Sequence, residues 1–275
     1  MAYKEESLEG AGGLKIFIRS WRPDGAAKAV VVLSHGFNSH SGYYLWAAEQ
    51  LLADGYAVYA FDYRGRGKSD GERYYIEKFA EYQSDLDLAM KTARSREPGL
   101  KIFLLGHSAG GVNACNYTLD HQADIAGLIC ESFAYKVPAP DFALAVLKGL
   151  SHLAPHAHVL KLKKEDFSRD PKVVKALLDD PLLADEVQPT KTVAEMVRAD
   201  ERLKRDFPQF TLPLLIIHGT KDTVTRPEGS QEFYDRASSK DKTLKLYEGY
   251  WHDPLNDVGK EAVMNDIRGW IAKRL

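Results

Sequence analysis

Short apolar, β-branched runs separated by longer stretches of helical periodicity constrain this chain more than any other feature. That alternation builds βαβ units, and so an α/β fold with a mostly parallel central sheet flanked by helices. Strands are predicted at 14–21, 29–34, 56–61, 101–105, 125–130, 214–218 and 243–247. Most are bounded by Gly, Asp or Pro and are apolar enough to be buried on both faces. Residues 14–21 instead alternate in character and follow Gly10-Ala11-Gly12-Gly13, which predicts an opening hairpin at a sheet edge. Helices are predicted at 44–53, 76–96, 110–121, 228–237 and 258–274. The second stops at Pro98-Gly99, and the last repeats apolar residues at Val258, Ala262, Val263, Ile267, Trp270 and Ile271.

Between 137 and 207 the rhythm breaks. Residues 141–153 are apolar nearly all round, 165–205 are charged with several short helix-like pieces, and no good strand is visible. The reading is a mostly helical insertion, 137–207, over a core formed by 1–136 and 208–275.

Composition narrows the class without choosing a function. A chain of 275 residues with 44% hydrophobic and 28% charged residues is long and apolar enough for an ordinary globular core. A net charge of −2 gives no electrostatic reason to expect nucleic acid as a partner. Cys115 and Cys130 lie in apolar stretches without metal-ligand spacing, as buried free thiols do. The sequence Met-Ala-Tyr-Lys-Glu-Glu-Ser-Leu-Glu-Gly at the start lacks a signal-peptide core, and no run is long enough to span a bilayer. A cytoplasmic location is the expectation.

Chemistry concentrates at the ends of the predicted strands. Gly106-His107-Ser108-Ala109-Gly110 is a weak motif alone, but here it follows the apolar run 101–105 and opens a helix. That strand–turn–helix setting is what a nucleophile elbow requires, with glycines allowing close backbone approach around a strained serine. A serine hydroxyl is a poor nucleophile until a histidine takes its proton, and the histidine needs a carboxylate to orient it. His252 follows the last strand and precedes the last helix, at the carboxyl end where open parallel sheets place their chemistry. His218 lies inside a strand and reads as a core histidine. For the acid, Asp222 just past the penultimate strand is favoured over Glu131, which ends an earlier strand, and Asp253, which adjoins the histidine. Oxyanion donors, each worth roughly 2.7–4 kcal/mol, would be the backbone N–H groups of Ala109 and of Phe37 in Ser34-His35-Gly36-Phe37-Asn38.

These residues carry a pattern. With His35–Ser41, the stretch Phe61-Asp62-Tyr63-Arg64-Gly65-Arg66-Gly67-Lys68-Ser69-Asp70-Gly71, Asp180-Pro181-Leu182 and the loops at 218–222 and 252, the chain resembles the monoacylglycerol lipase-like branch of α/β-hydrolases, which includes lysophospholipase-like esterases. The resemblance implies an α/β-hydrolase fold with a helical cap at 137–207, a Ser108–Asp222–His252 triad, oxyanion donors from Phe37 and Ala109, and no metal or cofactor. It implies a serine esterase acting on monoacylglycerols or other short- to medium-chain acyl esters. The chain departs from that pattern with Ser39 where Glu is usual, Tyr43 where Arg often precedes Tyr44, and Ala109 where Met is usual.

Other readings compete. The same triad serves lactones, thioesters, peptides or C–C bonds, and the fold also serves non-catalytic ligand binding. His152, His156 and His158 have a metal-compatible spacing only on a helix, and solvated histidines are the simpler reading. The apolar run 142–147, with Leu150 and Leu153, is either an interfacial helix making transient contact with lipid or the underside of the cap. With only Lys148 for charge, the buried reading is preferred. Arg64, Arg66 and Lys68 read as loop charges in water.

Overall fold

The computed structural model describes residues 2–275. The opening hairpin pairs β1 (Ala2–Glu9) with β2 (Lys15–Arg22) in antiparallel register. Next come β3 (Val30–Ser34), α1 (Leu45–Ala53), β4 (Ala57–Phe61), α2 (Phe79–Arg96), β5 (Ile102–His107), α3 (Ala109–His121) and β6 (Gly127–Glu131). The next stretch holds α4 (Asp141–Leu153), β7 (His158–Leu160), α5 (Pro171–Asp179), β8 (Gln188–Pro189) and α6 (Thr190–Asp206). The chain closes with β9 (Leu214–Gly219), α7 (Pro227–Arg236), β10 (Lys242–Tyr247) and α8 (Lys260–Ala272).

Eight strands form one sheet in the order β1-β2-β4-β3-β5-β6-β9-β10, parallel from β4 through β10. This is the α/β-hydrolase arrangement. Its strands look uniformly apolar in sequence because both faces are covered. Val30 and Val32 of β3, with Ile102 and Leu104 of β5, pack toward α2, α3 and α7. Val31, Leu33, Phe103 and Leu105 pack toward α1 and α8. The period-2 alternation thus feeds two cores at once. At the open edge the hairpin is tied to α2 by Arg96, which donates to Glu6 at 2.5 Å.

Three expectations change. The stretch between β6 and β9 is not strand-free: β7 and β8 pair antiparallel, too briefly for a period of two to show in sequence. Its last helix also contributes Met196, Ala199 and Leu203 to the core beneath the sheet. Finally, α4 is not buried on its apolar side: Phe142 is 73%, Val146 67%, Leu150 39% and Leu153 86% exposed. α4 packs chiefly on α6, and a helix that leans mainly on one neighbour buries one face. The four residues form one stripe along the other.

Candidate active site

The parallel strands end at one edge of the sheet, and the loops leaving them carry Phe37, Ser108, Asp222 and His252. Ser108 follows β5 with φ 54° and ψ −123°, a costly left-handed conformation for a residue with a Cβ. Its N–H donates to the Glu131 carbonyl at 3.0 Å, pinning the turn to β6. Two residues on, Gly110 has to be glycine, because a Cβ there would lie 2.3 Å from the carbonyl oxygens of Ser34 and His35. The elbow therefore sits pressed against the loop that leaves β3.

Ser108 Oγ lies 3.0 Å from His252 Nε2, and His252 Nδ1 lies 2.8 Å from Asp222 Oδ2. All three are buried. Burial alone pushes the Asp222 carboxyl up. The charge of His252 and hydrogen bonds from His218 and His252 outweigh it and hold the group well below the usual carboxylate range. An ionised Asp222 accepts only, so His252 Nδ1 carries the proton and Nε2 is left to accept from Ser108.

Asp222 is held from both sides. Its Oδ1 accepts from the N–H groups of Val224 at 2.8 Å and Thr225 at 3.0 Å. Oδ2 takes the Thr225 hydroxyl at 2.7 Å and meets His218 Nε2 at 2.9 Å. His218 is in the core, as its sequence position indicates, yet it faces the acid. Burial pushes its pKa down, so it stays neutral, donating to Asp222 through Nε2 while Nδ1 accepts the Ser230 hydroxyl at 2.7 Å. The signal for this role is its place as the next-to-last residue of β9, four before the acid.

The rival acids are engaged elsewhere. Glu131 accepts the Leu255 N–H at 2.8 Å, and burial with nearby Asp253 pushes its carboxyl well above the usual range. Asp253 accepts from the Asn256 amide at 3.0 Å.

The loop after β3 closes on the serine. A Cβ on Gly36 would come 2.7 Å from Ser108 Cβ, so the chain passes within contact of the nucleophile there. Among the described residues Phe37 N–H has no backbone acceptor, and Ala109 N–H opens α3, where helices leave donors unpaired. His35 is fixed inside this loop. Its Nε2 accepts the Tyr63 N–H at 3.1 Å, and burial pushes its pKa down to about 4.

Residues between β6 and β9 also reach the site. The Phe167 ring stands edge-on to His252 with centroids 4.9 Å apart. Asp180 meets His40 Nε2 at 2.9 Å and accepts from the Tyr43 hydroxyl at 3.0 Å. Arg64 and Arg66 are not solvated charges: Arg64 forks onto Asp85, and Arg66 reaches Glu186 at 2.5 Å. Buried charges have to be paired, and no sequence spacing announces partners 21 and 120 residues away. His156 pairs with Glu72 at 2.8 Å and His152 contacts Arg198. Among the described residues no group of three or more His, Cys, Asp or Glu is placed to hold a metal ion.

Sheet order, strained elbow and the hydrogen-bonded serine, histidine and carboxylate define the α/β-hydrolase class. Comparison with known proteins narrows it. The family model described as "Serine aminopeptidase, S33" matches residues 25–259. A monoacylglycerol lipase of Mycolicibacterium smegmatis is 35% identical, covering 98% of each chain. The monoglyceride lipase of Homo sapiens is 30% identical over 97% of this chain and 90% of its own. A crystal structure of the monoacylglycerol lipase of Paleococcus ferrophilus is similar with a TM-score of 0.83 and 30% identity, all of both chains being covered. The chain belongs to this S33 family of α/β-hydrolases, and it is a carboxylic ester hydrolase.

Proposed function

We propose that Ser108, His252 and Asp222 form a catalytic triad that hydrolyses monoacylglycerols and other short- to medium-chain acyl esters, with the Phe37 and Ala109 N–H groups holding the oxyanion. The carrying observation is the unbroken hydrogen-bond chain from Ser108 Oγ through His252 to Asp222. His252 Nε2 takes the serine proton as Oγ attacks the ester carbonyl, and returns it to the leaving alcohol. Water, deprotonated by the same nitrogen, then releases the acid from the acyl-enzyme. His252 then returns the water's proton to Ser108 Oγ as the acyl–oxygen bond breaks, so each proton transfer passes through Nε2. The substrate class is supported by the relatives, which are named for monoacylglycerols and monoglycerides.

In this reading residues 137–207 act as a cap, and the exposed stripe of α4 is where the enzyme touches a lipid surface transiently. Four large apolar side chains facing water on one helix are unusual without a surface to cover them. No helix among the described residues is long and apolar enough to cross a membrane. Cys115 and Cys130, buried free thiols whose sulfurs meet at 3.3 Å, support a reducing, cytoplasmic setting.

A chain-length series of monoacylglycerols, run beside lactones and an aminoacyl amide, tests the proposal. Turnover of the monoacylglycerols that disappears in Ser108→Ala is the expected result. Preferred turnover of the amide, or equal activity in Ser108→Ala, would overturn it.

A further inference from the structure

Glu186 lies on the segment between β6 and β9, and its carboxylate reaches the oxyanion loop. Oε1 accepts the Asn38 N–H at 2.9 Å, one residue beyond the proposed donor Phe37. The same oxygen accepts from Arg66 Nη1 at 2.5 Å and from the Gln188 amide at 2.7 Å. Arg66 in turn donates to Gln188 Oε1 at 2.6 Å and to the Tyr82 hydroxyl at 2.9 Å. Its guanidinium also lies 4.2 Å from the centre of the Phe37 ring. Arg66 is 2% and Glu186 4% exposed.

One buried ion pair therefore grips residue 37 by its ring and residue 38 by its N–H. Asn38 sits at φ 49°, a left-handed conformation that needs such support from its surroundings. An oxyanion donor displaced by about 1 Å loses most of its effect, because its value lies in being aimed before charge develops. Arg66 comes from the loop after β4, and Glu186 from the segment between β6 and β9. The loop's aim thus depends on how that segment is seated.

We infer that Glu186 is a positioning residue for the oxyanion loop: held by Arg66, it fixes the Phe37–Asn38 backbone and makes seating of the covering segment a condition for fast acyl transfer. This rests on the reading of Phe37 N–H as an oxyanion donor.

The test measures kcat and KM for a dissolved short-chain ester, and the affinity of an alkyl boronic acid that forms a tetrahedral adduct on serine. Glu186→Asp keeps the charge for Arg66 but draws the carboxylate back from Asn38. It is expected to lower kcat on the order of tenfold or more, leave KM within about twofold, and weaken the boronic acid in step with kcat. Glu186→Gln, whose amide oxygen still reaches Asn38, should keep more of kcat than Glu186→Asp. If Glu186→Asp does not fold, Phe37→Leu, which removes only the ring from Arg66, should lower kcat severalfold with the same unchanged KM. Wild-type kcat in these variants with only a lower melting temperature would overturn the inference, as would a KM that rises as kcat falls. An active Ser108→Ala sinks the triad reading instead. An inactive Ser108→Ala beside fully active Glu186 variants sinks this inference alone.

Discussion

The strand-end loops and the segment that covers them reach one site by different physical routes. Ser108, Asp222 and His252 are each aimed by the strand just before them, so their geometry is set locally and by the parallel register of β5, β9 and β10. The covering segment reaches the same place through distant polar contacts: Asp180 to His40, Glu186 to Arg66 and Asn38. Its outer helix holds on through one face only. The triad is thus held by the sheet itself, while the loop after β3 also leans on polar contacts from a segment outside it.

Changing the acid strikes the rigid half, and it has the largest expected effect. In Asp222→Asn the new NH2 has to face either the two backbone donors of Val224 and Thr225 or the side chains of His218, Thr225 and His252. Turned toward the side chains, the NH2 sets a donor against His252 Nδ1 and reverses its tautomer; turned toward the backbone N–H groups, it leaves His252 an oxygen without the charge that offsets an imidazolium. A fall in kcat of about 10⁴-fold, with the same melting temperature within a few degrees, is expected from steady-state kinetics and calorimetry. A variant within tenfold of wild type would mean that Glu131 or Asp253 serves as the acid.

Acid sharpens the contrast. Buried His35 titrates near 4 in the fold and near 6.5 when unfolded. Between those values the unfolded chain holds a proton that the folded chain excludes, so stability falls as pH drops from 6.5 toward 4. The loss from this residue approaches about 3 kcal/mol at the lower end. His107 and His218, also pushed down by burial, act in the same direction. Urea unfolding at pH 7 and pH 5 should show the drop, and His35→Gln should reduce it. Equal stability at both values would contradict the account.

The smallest effect belongs to the outer helix. Replacing Phe142 and Leu153 by Ser removes exposed apolar surface without opening the core. Turnover of vesicle-bound long-chain monoacylglycerol should fall roughly tenfold, while a dissolved short-chain 4-nitrophenyl ester is hydrolysed as before. Equal losses on both substrates would show that α4 supports the fold rather than the lipid encounter.

The same contrast explains what was legible in sequence. Ser108, Asp222 and His252 each close a local pattern of apolar run, glycine and polar residue, so their neighbourhood could be read directly. The parallel strands and their flanking helices were legible for the same reason. His218 was half legible: a strand residue belongs in the core, but only the β9 loop turning back shows that it faces Asp222. The exposure of α4 was not legible, because an apolar helix does not state how many neighbours will cover it. The pairing of Arg66 with Glu186 left no mark either, since a buried ion pair across 120 residues has no spacing to recognise.

Covalent labelling with a fluorophosphonate, located by peptide mass spectrometry, tests the central claim most directly. The account predicts one adduct per chain on Ser108, formed rapidly in the wild type and absent in Ser108→Ala. An adduct on another serine, or labelling that persists in Ser108→Ala, would contradict it.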